Sequence, residues 1–206
     1  MVQKIAEYIA THPQQIAEQI AAHIGISLFA LFVAALIGIP CGCLAAKLQK
    51  GEAVITAPFE MLRVVPSLAL FALLIPITGL GRTSAVIVLT LYNQYLLLRN
   101  FTTGLREADP VACEVAKGIG MTDMQILTRI RIPLARKAIF AGIRLAIVST
   151  VGIATIAASI NAGGLGILLF EGLRTMNIPK ILWGSVLSAG MAVLLNAVLK
   201  KIEEVI

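Results

Sequence analysis

Long apolar stretches separated by short polar ones dominate this chain. Residues 24–46 carry no charge, and four further apolar stretches follow at about 57–77, 83–98, 138–160 and 181–199. A helix needs about 20 mostly apolar residues to cross the roughly 30 Å hydrocarbon core of a bilayer, because it rises about 1.5 Å per residue. The pattern therefore predicts five membrane-spanning helices.

The first 23 residues follow a different pattern. Isoleucines recur there at helical spacing and Pro13 interrupts them, which predicts an N-terminal amphipathic segment over 1–23 that breaks at the proline. Within the first span, Gly38 and Gly42 lie four residues apart. Small residues at that spacing favour the close approach of another helix.

Composition supports the membrane interpretation. The 206 residues are 58% hydrophobic and 14% charged, with a mean hydropathy of +0.91. Soluble domains average about 25% charged residues, and a chain of this length has too little interior to bury so much apolar surface. We therefore expect an all-α integral membrane protein that forms a single domain over 1–206.

The distribution of basic residues predicts the topology. With the N-terminus outside, 11 of the 17 basic residues fall in cytoplasmic segments, four fall outside, and Arg63 and Arg144 lie within spans. The cytoplasmic set is Lys47, Lys50, Arg99, Arg106, Lys117, Arg129, Arg131, Arg136, Lys137, Lys200 and Lys201. This bias predicts a multi-pass protein of the cytoplasmic (inner) membrane with its C-terminus in the cytoplasm. It also explains the net charge of +6 without a nucleic-acid partner.

The longest predicted loop, residues 99–137, has strong local signals. Asp109 followed by Pro110 is typical of a helix start, and Gly118 and Gly120 favour its end. Residues 122–125, Thr-Asp-Met-Gln, form a capping-box sequence that predicts a second helix, which we expect to end at Pro133. The loop is thus predicted to hold two short helices joined by a glycine turn.

Residues of this loop resemble a known motif. Glu114, Val115 and Ala116, then Gly120, then Ile130, Ile132 and Pro133 are similar to the E-A-A-x3-G-x9-I-x-L-P motif of type I ABC importer permeases. Val115 stands for the middle alanine and Ile132 for the leucine. The resemblance implies a five-span type I importer transmembrane domain, with a cytoplasmic coupling helix between spans 3 and 4.

The same resemblance implies the partners. The coupling helix would dock in a cytoplasmic ABC ATPase dimer, whose subunits bind ATP and Mg²⁺, and an extracytoplasmic substrate-binding protein would deliver the solute. A second permease subunit, identical or paralogous, would complete the path through the lipid bilayer by alternating access. The chain has no Gly-x4-Gly-Lys-Ser/Thr sequence, so we expect it to be no enzyme and to hold no cofactor of its own.

Two further stretches narrow the resemblance. Residues 63–70 with 75–76, and residues 143–166, resemble the second span, fourth span and outer loop of osmoprotectant permeases, which implies import of glycine betaine, choline or carnitine. An alternative is a permease for an amino acid or another small solute. An intramembrane enzyme or channel is the alternative from another class. Both aspartates, Asp109 and Asp123, serve helix starts, and no His-Glu-x-x-His or Gly-x-Ser-x-Gly sequence is present.

Polar residues inside the spans are candidates for the solute path. Tyr92, Asn93 and Tyr95 lie in the third span, and Thr150 and Thr155 lie in the fourth. Aromatic faces attract quaternary ammonium groups. The alternative roles are interfacial anchoring for the tyrosines and helix packing for the threonines.

Charged residues at membrane depth are the last candidates. Glu60 and Arg63 lie three residues apart and can pair on one helix face, and Arg144 lies inside the fourth span. We expect these three charges to serve gating or structural pairing. His12 and His23 precede the first span, and the three cysteines match no metal spacing, so no metal site is predicted.

Overall fold

The computed structural model describes residues 2–47 and 51–205, with only the backbone path for residues 2–6 and 51–52. Lys50 of the topology count lies outside the described residues. The helices are α1 Val2–Thr11, α2 Pro13–Lys47, α3 Gly51–Val64, α4 Ser67–Thr78, α5 Arg82–Arg106, α6 Pro110–Gly118, α7 Asp123–Ile126, a π-helical turn Leu127–Arg131, α8 Ile132–Ala157, a 3₁₀ turn Ala158–Ile160, α9 Gly166–Arg174 and α10 Ile178–Val205.

The predicted break at Pro13 is confirmed. α1 ends at Thr11 and the proline opens α2, where its missing N–H would have had no intrahelical partner. The helix then continues for 35 residues, so the segment after Pro13 and the first predicted span form one continuous helix.

Three helical stretches of the described chain are long and apolar enough to cross a membrane: Pro13–Lys47, Asp123–Ile160 and Ile178–Val205. The second predicted span is bent by 100° between α3 and α4. If these two helices together form one span, the number of such stretches rises to four. The third predicted span lies within α5, which is long enough to cross a membrane but is less apolar than these stretches. The count of five spans therefore stays a prediction.

The low hydropathy of α5 has a structural cause. α5 is the central helix, and it packs against α2, α3, α4 and α8. Asn93 and Gln94 are both buried in it, with exposed fractions of 1% and 2%. Because this helix meets protein on most sides, its two buried amides find partners within the bundle: Asn93 bonds to Thr150, and Gln94 donates to the carbonyl of Ala34.

Close approach of α2 to α5 depends on the two glycines noted in the sequence. A Cβ at Gly38 would lie 3.1 Å from Oε1 of Gln94, and one at Gly42 would lie 3.0 Å from Cβ of Phe101. The predicted small-residue contact is confirmed.

The boundaries of the long loop differ from the prediction. α5 continues to Arg106, so the first part of 99–137 is helix. The prediction that Pro133 ends a helix is wrong, because α7, the π turn and α8 form one helical path over Asp123–Ile160. In the π turn, Ile132 N–H donates to the carbonyl of Leu127, five residues earlier. Local π geometry is one way in which a helix accommodates a proline.

Candidate functional site

The short helix α6 has strong signals at both ends. Oδ1 of Asp109 accepts the backbone N–H of Val111 at 2.9 Å, and Pro110 occupies the first turn. At the other end, Gly120 has φ +89°, and the N–H of Met121 donates to the carbonyl of Ala116 at 3.0 Å. A glycine readily adopts this left-handed conformation, which reverses the chain after the helix.

The next helix begins with the predicted capping box. The N–H of Gln125 donates to Oγ1 of Thr122 at 3.3 Å, and the N–H of Thr122 donates to Oε1 of Gln125 at 2.8 Å. The two reciprocal bonds satisfy N–H groups that have no partner within the helix. The predicted arrangement of helix, glycine turn and helix is confirmed.

An apolar stripe on the surface of α6 accompanies Glu114. Val111, Val115 and Ile119 are 66%, 61% and 76% exposed, and they recur every four residues, so they share one face. Glu114 is exposed as well, whereas Ala116 is buried. Of these three residues, the resemblance to the importer motif includes only Val115. The i, i+4, i+8 spacing in the sequence could have predicted the whole stripe.

The residues in the second half of the motif are only partly buried in the bundle. Ile130 is half-buried, and Ile132 is 36% exposed. The buried side chains here are Ile126 and Ala135, so Ile132 does not anchor this helix in the bundle. Pro133 is exposed.

A cavity of about 610 Å³ lies between α6, α7 with its π turn, and the C-terminal end of α2. Cys43, Lys47, Cys113, Glu114 and Arg131 are among its lining residues. α6 is therefore separated from α2 by open space, and much of its surface is available to another protein.

Glu60 and Arg63 do not form the predicted ion pair with each other. Instead, both side chains contact Tyr95 of α5. The Tyr95 hydroxyl donates to Oε1 of Glu60 at 3.4 Å and accepts a hydrogen bond from Arg99, and the Arg63 guanidinium lies 4.8 Å from the centre of the ring. The tyrosine ring thus attaches α3 to α5 through a hydrogen bond and a cation–π contact.

Tyr92 lies one turn earlier on α5, beside the bend between α3 and α4. Its hydroxyl donates to the backbone carbonyl of Val65, the residue before Pro66. Helical hydrogen bonding is interrupted at this bend, because Pro66 has no N–H to donate. Tyr92 therefore satisfies a carbonyl at the break.

Asn93 and Thr150 meet inside the bundle. Nδ2 of Asn93 lies 2.7 Å from Oγ1 of Thr150, and both side chains are 1% exposed. Thr155 is half-buried and donates to the carbonyl of Val151 at 3.0 Å. Of the five predicted path residues, Asn93 and Thr150 therefore join α5 to α8, and both tyrosines are also buried.

Arg144 forms an ion pair with Glu203 near the end of α10. The arginine side chain is 25% exposed and the glutamate side chain is 18% exposed. The pair attaches α10 to α8, which agrees with the expected structural pairing.

His23 precedes the first predicted span, but it lies inside the bundle, so the expectation that it would lie outside the bundle is wrong. Its ring is 1% exposed, Nδ1 accepts the N–H of Leu165 at 3.2 Å, and Nε2 lies 3.1 Å from the carbonyl of Val151. With Nδ1 as acceptor, the proton resides on Nε2 and is donated to Val151. Sequence position could not reveal this, because α2 meets α8 and the loop between the 3₁₀ turn and α9 only in the folded chain.

Comparisons with known proteins agree with this arrangement. Residues 38–205 match the family model described as the binding-protein-dependent transport system inner membrane component. Over 97% of its length the chain is 33% identical to the choline transport system permease protein OpuBB of Bacillus subtilis (strain 168), covering 92% of that protein. It is 34% identical to the carnitine transport permease protein OpuCD of Listeria monocytogenes serotype 1/2a (strain 10403S), over 98% of this chain and 91% of the relative.

The fold is also similar to a solved importer. The MetNI methionine ABC transporter, in an inward-facing conformation, superposes with a TM-score of 0.86 at 20% identity, covering 94% of this chain and 98% of that chain. The chain therefore belongs to the family of binding-protein-dependent transport system inner membrane components, as a permease subunit of a type I ABC importer.

Proposed function

We propose that this permease carries a quaternary-amine osmoprotectant such as choline, glycine betaine or carnitine into the cytoplasm. The observation that carries the proposal is the identity of about one third with permeases named for choline and carnitine, over nearly the whole chain. The main alternative is an amino acid, since the solved transporter of similar fold is named for methionine.

We propose that α6 is the coupling helix and docks in a cytoplasmic ATPase subunit. Its exposed face combines Glu114, which can accept hydrogen bonds from a basic group, with the apolar residues Val111, Val115 and Ile119. ATP and Mg²⁺ would bind to that partner, and ATP-driven movement of α6 would pass to α8 along the continuous helical path that begins at Asp123. In this arrangement the N-terminus lies outside and the C-terminus in the cytoplasm.

We propose that the face formed by α3 and α4 packs against a second permease subunit, identical or paralogous. Met61, Val64 and Ile77 are 73%, 80% and 82% exposed on this face, beside exposed Glu60 and Arg63. Charged side chains at membrane depth usually face protein or water rather than lipid. A solute path between two such faces would account for both the apolar and the charged residues.

Four of the five predicted path residues acquire a narrower role in this proposal. The hydroxyls of Tyr92 and Tyr95 hydrogen-bond to α3 and its bend, and Asn93 bonds to Thr150. We propose that these four residues shape the wall of the path, and that an extracytoplasmic binding protein supplies most of the solute affinity.

Uptake assays test the substrate assignment. Cells that express the permease with its partner subunits would be given labelled choline, with unlabelled glycine betaine, carnitine or methionine as competitor and glucose as control. We expect the quaternary amines to compete and methionine to have no effect. Competition by methionine alone would instead assign an amino-acid substrate.

A further inference from the structure

A second charged cavity lies away from α6, where the start of α8 faces the end of α10. Its volume is about 200 Å³, and all of its lining side chains are charged: Arg136, Lys137, Arg144, Lys200, Glu203 and Glu204. The four basic residues exceed the two acidic ones. Glu203 is paired with Arg144, Glu204 lies 4.0 Å from Lys200, and the six lining residues together carry a net charge of +2.

The position of this cavity along α8 separates it from the coupling helix. Arg136 comes 13 residues after Asp123, where the helical path begins, which corresponds to about 20 Å along the helix axis. Arg144 lies about 12 Å further into the span. The cavity therefore extends from the predicted membrane interface towards the apolar part of the bundle.

Apolar side chains are exposed next to these charges. Leu134 on α8 is 54% exposed, and Val198 and Ile202 on α10 are 47% and 42% exposed. Val198 and Ile202 also line a shallow depression with Lys201 and Val205. A basic cavity beside exposed apolar side chains matches an amphiphile with an anionic head and a hydrocarbon tail.

We propose that this cavity binds the headgroup of an anionic phospholipid, with Arg136, Lys137 and Lys200 around the phosphate and an acyl chain along α10. Basic pockets between membrane helices are suited to phosphate headgroups. An acidic protein surface would also satisfy the positive charge, but it would leave Val198 and Ile202 without an apolar partner. The observations thus favour a lipid.

Native mass spectrometry of the purified permease with its partner subunits tests the proposal. The complex would be incubated with phosphatidylglycerol or with phosphatidylcholine, and the lipid retained per permease would be counted. We expect preferential retention of phosphatidylglycerol. The double variant Lys137→Gln/Lys200→Gln should weaken that retention by about fivefold for each lysine removed.

The matched control is Arg129→Gln, because this exposed arginine lies on the same helical path as Lys137 but lines neither the basic cavity nor the shallow depression on α10. It should retain phosphatidylglycerol as the wild type does, and so should Lys137→Arg/Lys200→Arg, which keeps both charges. Equal retention of the two lipids, or an equal loss in Arg129→Gln or in the arginine variant, would overturn the proposal.

Two further results would assign the cavity to another ligand. Displacement of the lipid by millimolar glycerol phosphate would indicate a free phosphate compound. Loss of a partner subunit from the double variant, with its lipid retained, would indicate an acidic protein surface. Either result overturns the lipid proposal, and neither affects the proposed transport function, which uptake measures separately.

Discussion

The hydroxyl of Tyr92 donates a hydrogen bond to the backbone carbonyl of Val65, across the interface between α5 and the α3–α4 bend. The bend measures 100°, and Pro66 follows the bonded carbonyl. A side chain of the central helix therefore stabilises the break in its neighbour. Tyr95, one turn further on, contacts both Glu60 and Arg63 of α3.

Tyr92→Phe should destabilise the bend, because it leaves the Val65 carbonyl without this donor. We expect a loss of about 1 kcal/mol in stability, together with slower uptake. Tyr8→Phe is the matched control, since the Tyr8 hydroxyl is buried and has no hydrogen-bond partner among the described residues. Thermal unfolding in detergent measures the first effect. If both variants unfolded at the same temperature as wild type, the bond would have no stabilising role.

Glu114→Arg should weaken assembly with the ATPase, because it reverses a charge on the exposed face of α6. We expect at least a tenfold loss of co-purified ATPase and a parallel loss of uptake. Glu18→Arg makes the same change at an exposed position near the N-terminal end of α2. It should leave ATPase co-purification and uptake unchanged. Undiminished co-purification of Glu114→Arg would contradict the coupling assignment.

Val115→Asp tests the apolar stripe on α6 separately. The side chain is 61% exposed, so the substitution should leave folding intact while placing a charge in the proposed contact. We expect ATPase co-purification to fall and the melting temperature of the permease alone to change little. A similar loss of stability in the isolated permease would mean that Val115 supports the fold instead.

Gly142→Ala should destabilise the contact between α5 and α8. An added Cβ at Gly142 would lie 2.7 Å from Cβ of Asn100, so one of the two helices has to shift, at a cost of about 1–3 kcal/mol. Gly152→Ala on the same helix has no atom within 4 Å of the new Cβ and should be neutral or slightly stabilising. Denaturation of the two variants side by side gives the comparison, and equal stabilities would refute the close approach.

His23→Leu should destabilise the loop between the 3₁₀ turn and α9, because the N–H of Leu165 loses its acceptor and the carbonyl of Val151 loses the His23 donor. Leaving buried polar groups unsatisfied costs about 1–3 kcal/mol. His12→Leu, at an exposed position, is the control. Hydrogen exchange at Leu165 should accelerate in the first variant only, and unchanged protection there would show that His23 does not hold the loop.

Local sequence signals predicted much of the candidate coupling site. The cap of Asp109, the capping box at Thr122 and the turn at Gly120 each depend on residues within a few positions of one another, so their structures follow from local chemistry. The break at Pro13 and the glycine contact at Gly38 and Gly42 were predictable for a related reason, since backbone sterics decide them.

The sequence by itself determined the helical class, the apolar stretches and the spaced motif of α6, because periodicity and short-range capping are written along the chain. Only the tertiary structure decided the partners of the polar residues. Glu60 meets Tyr95 rather than Arg63, and His23 lies against Leu165, because the arrangement of helices around α5 brings together side chains that are distant in sequence. Whether a side chain is packed in the bundle or exposed on its surface depends on that arrangement.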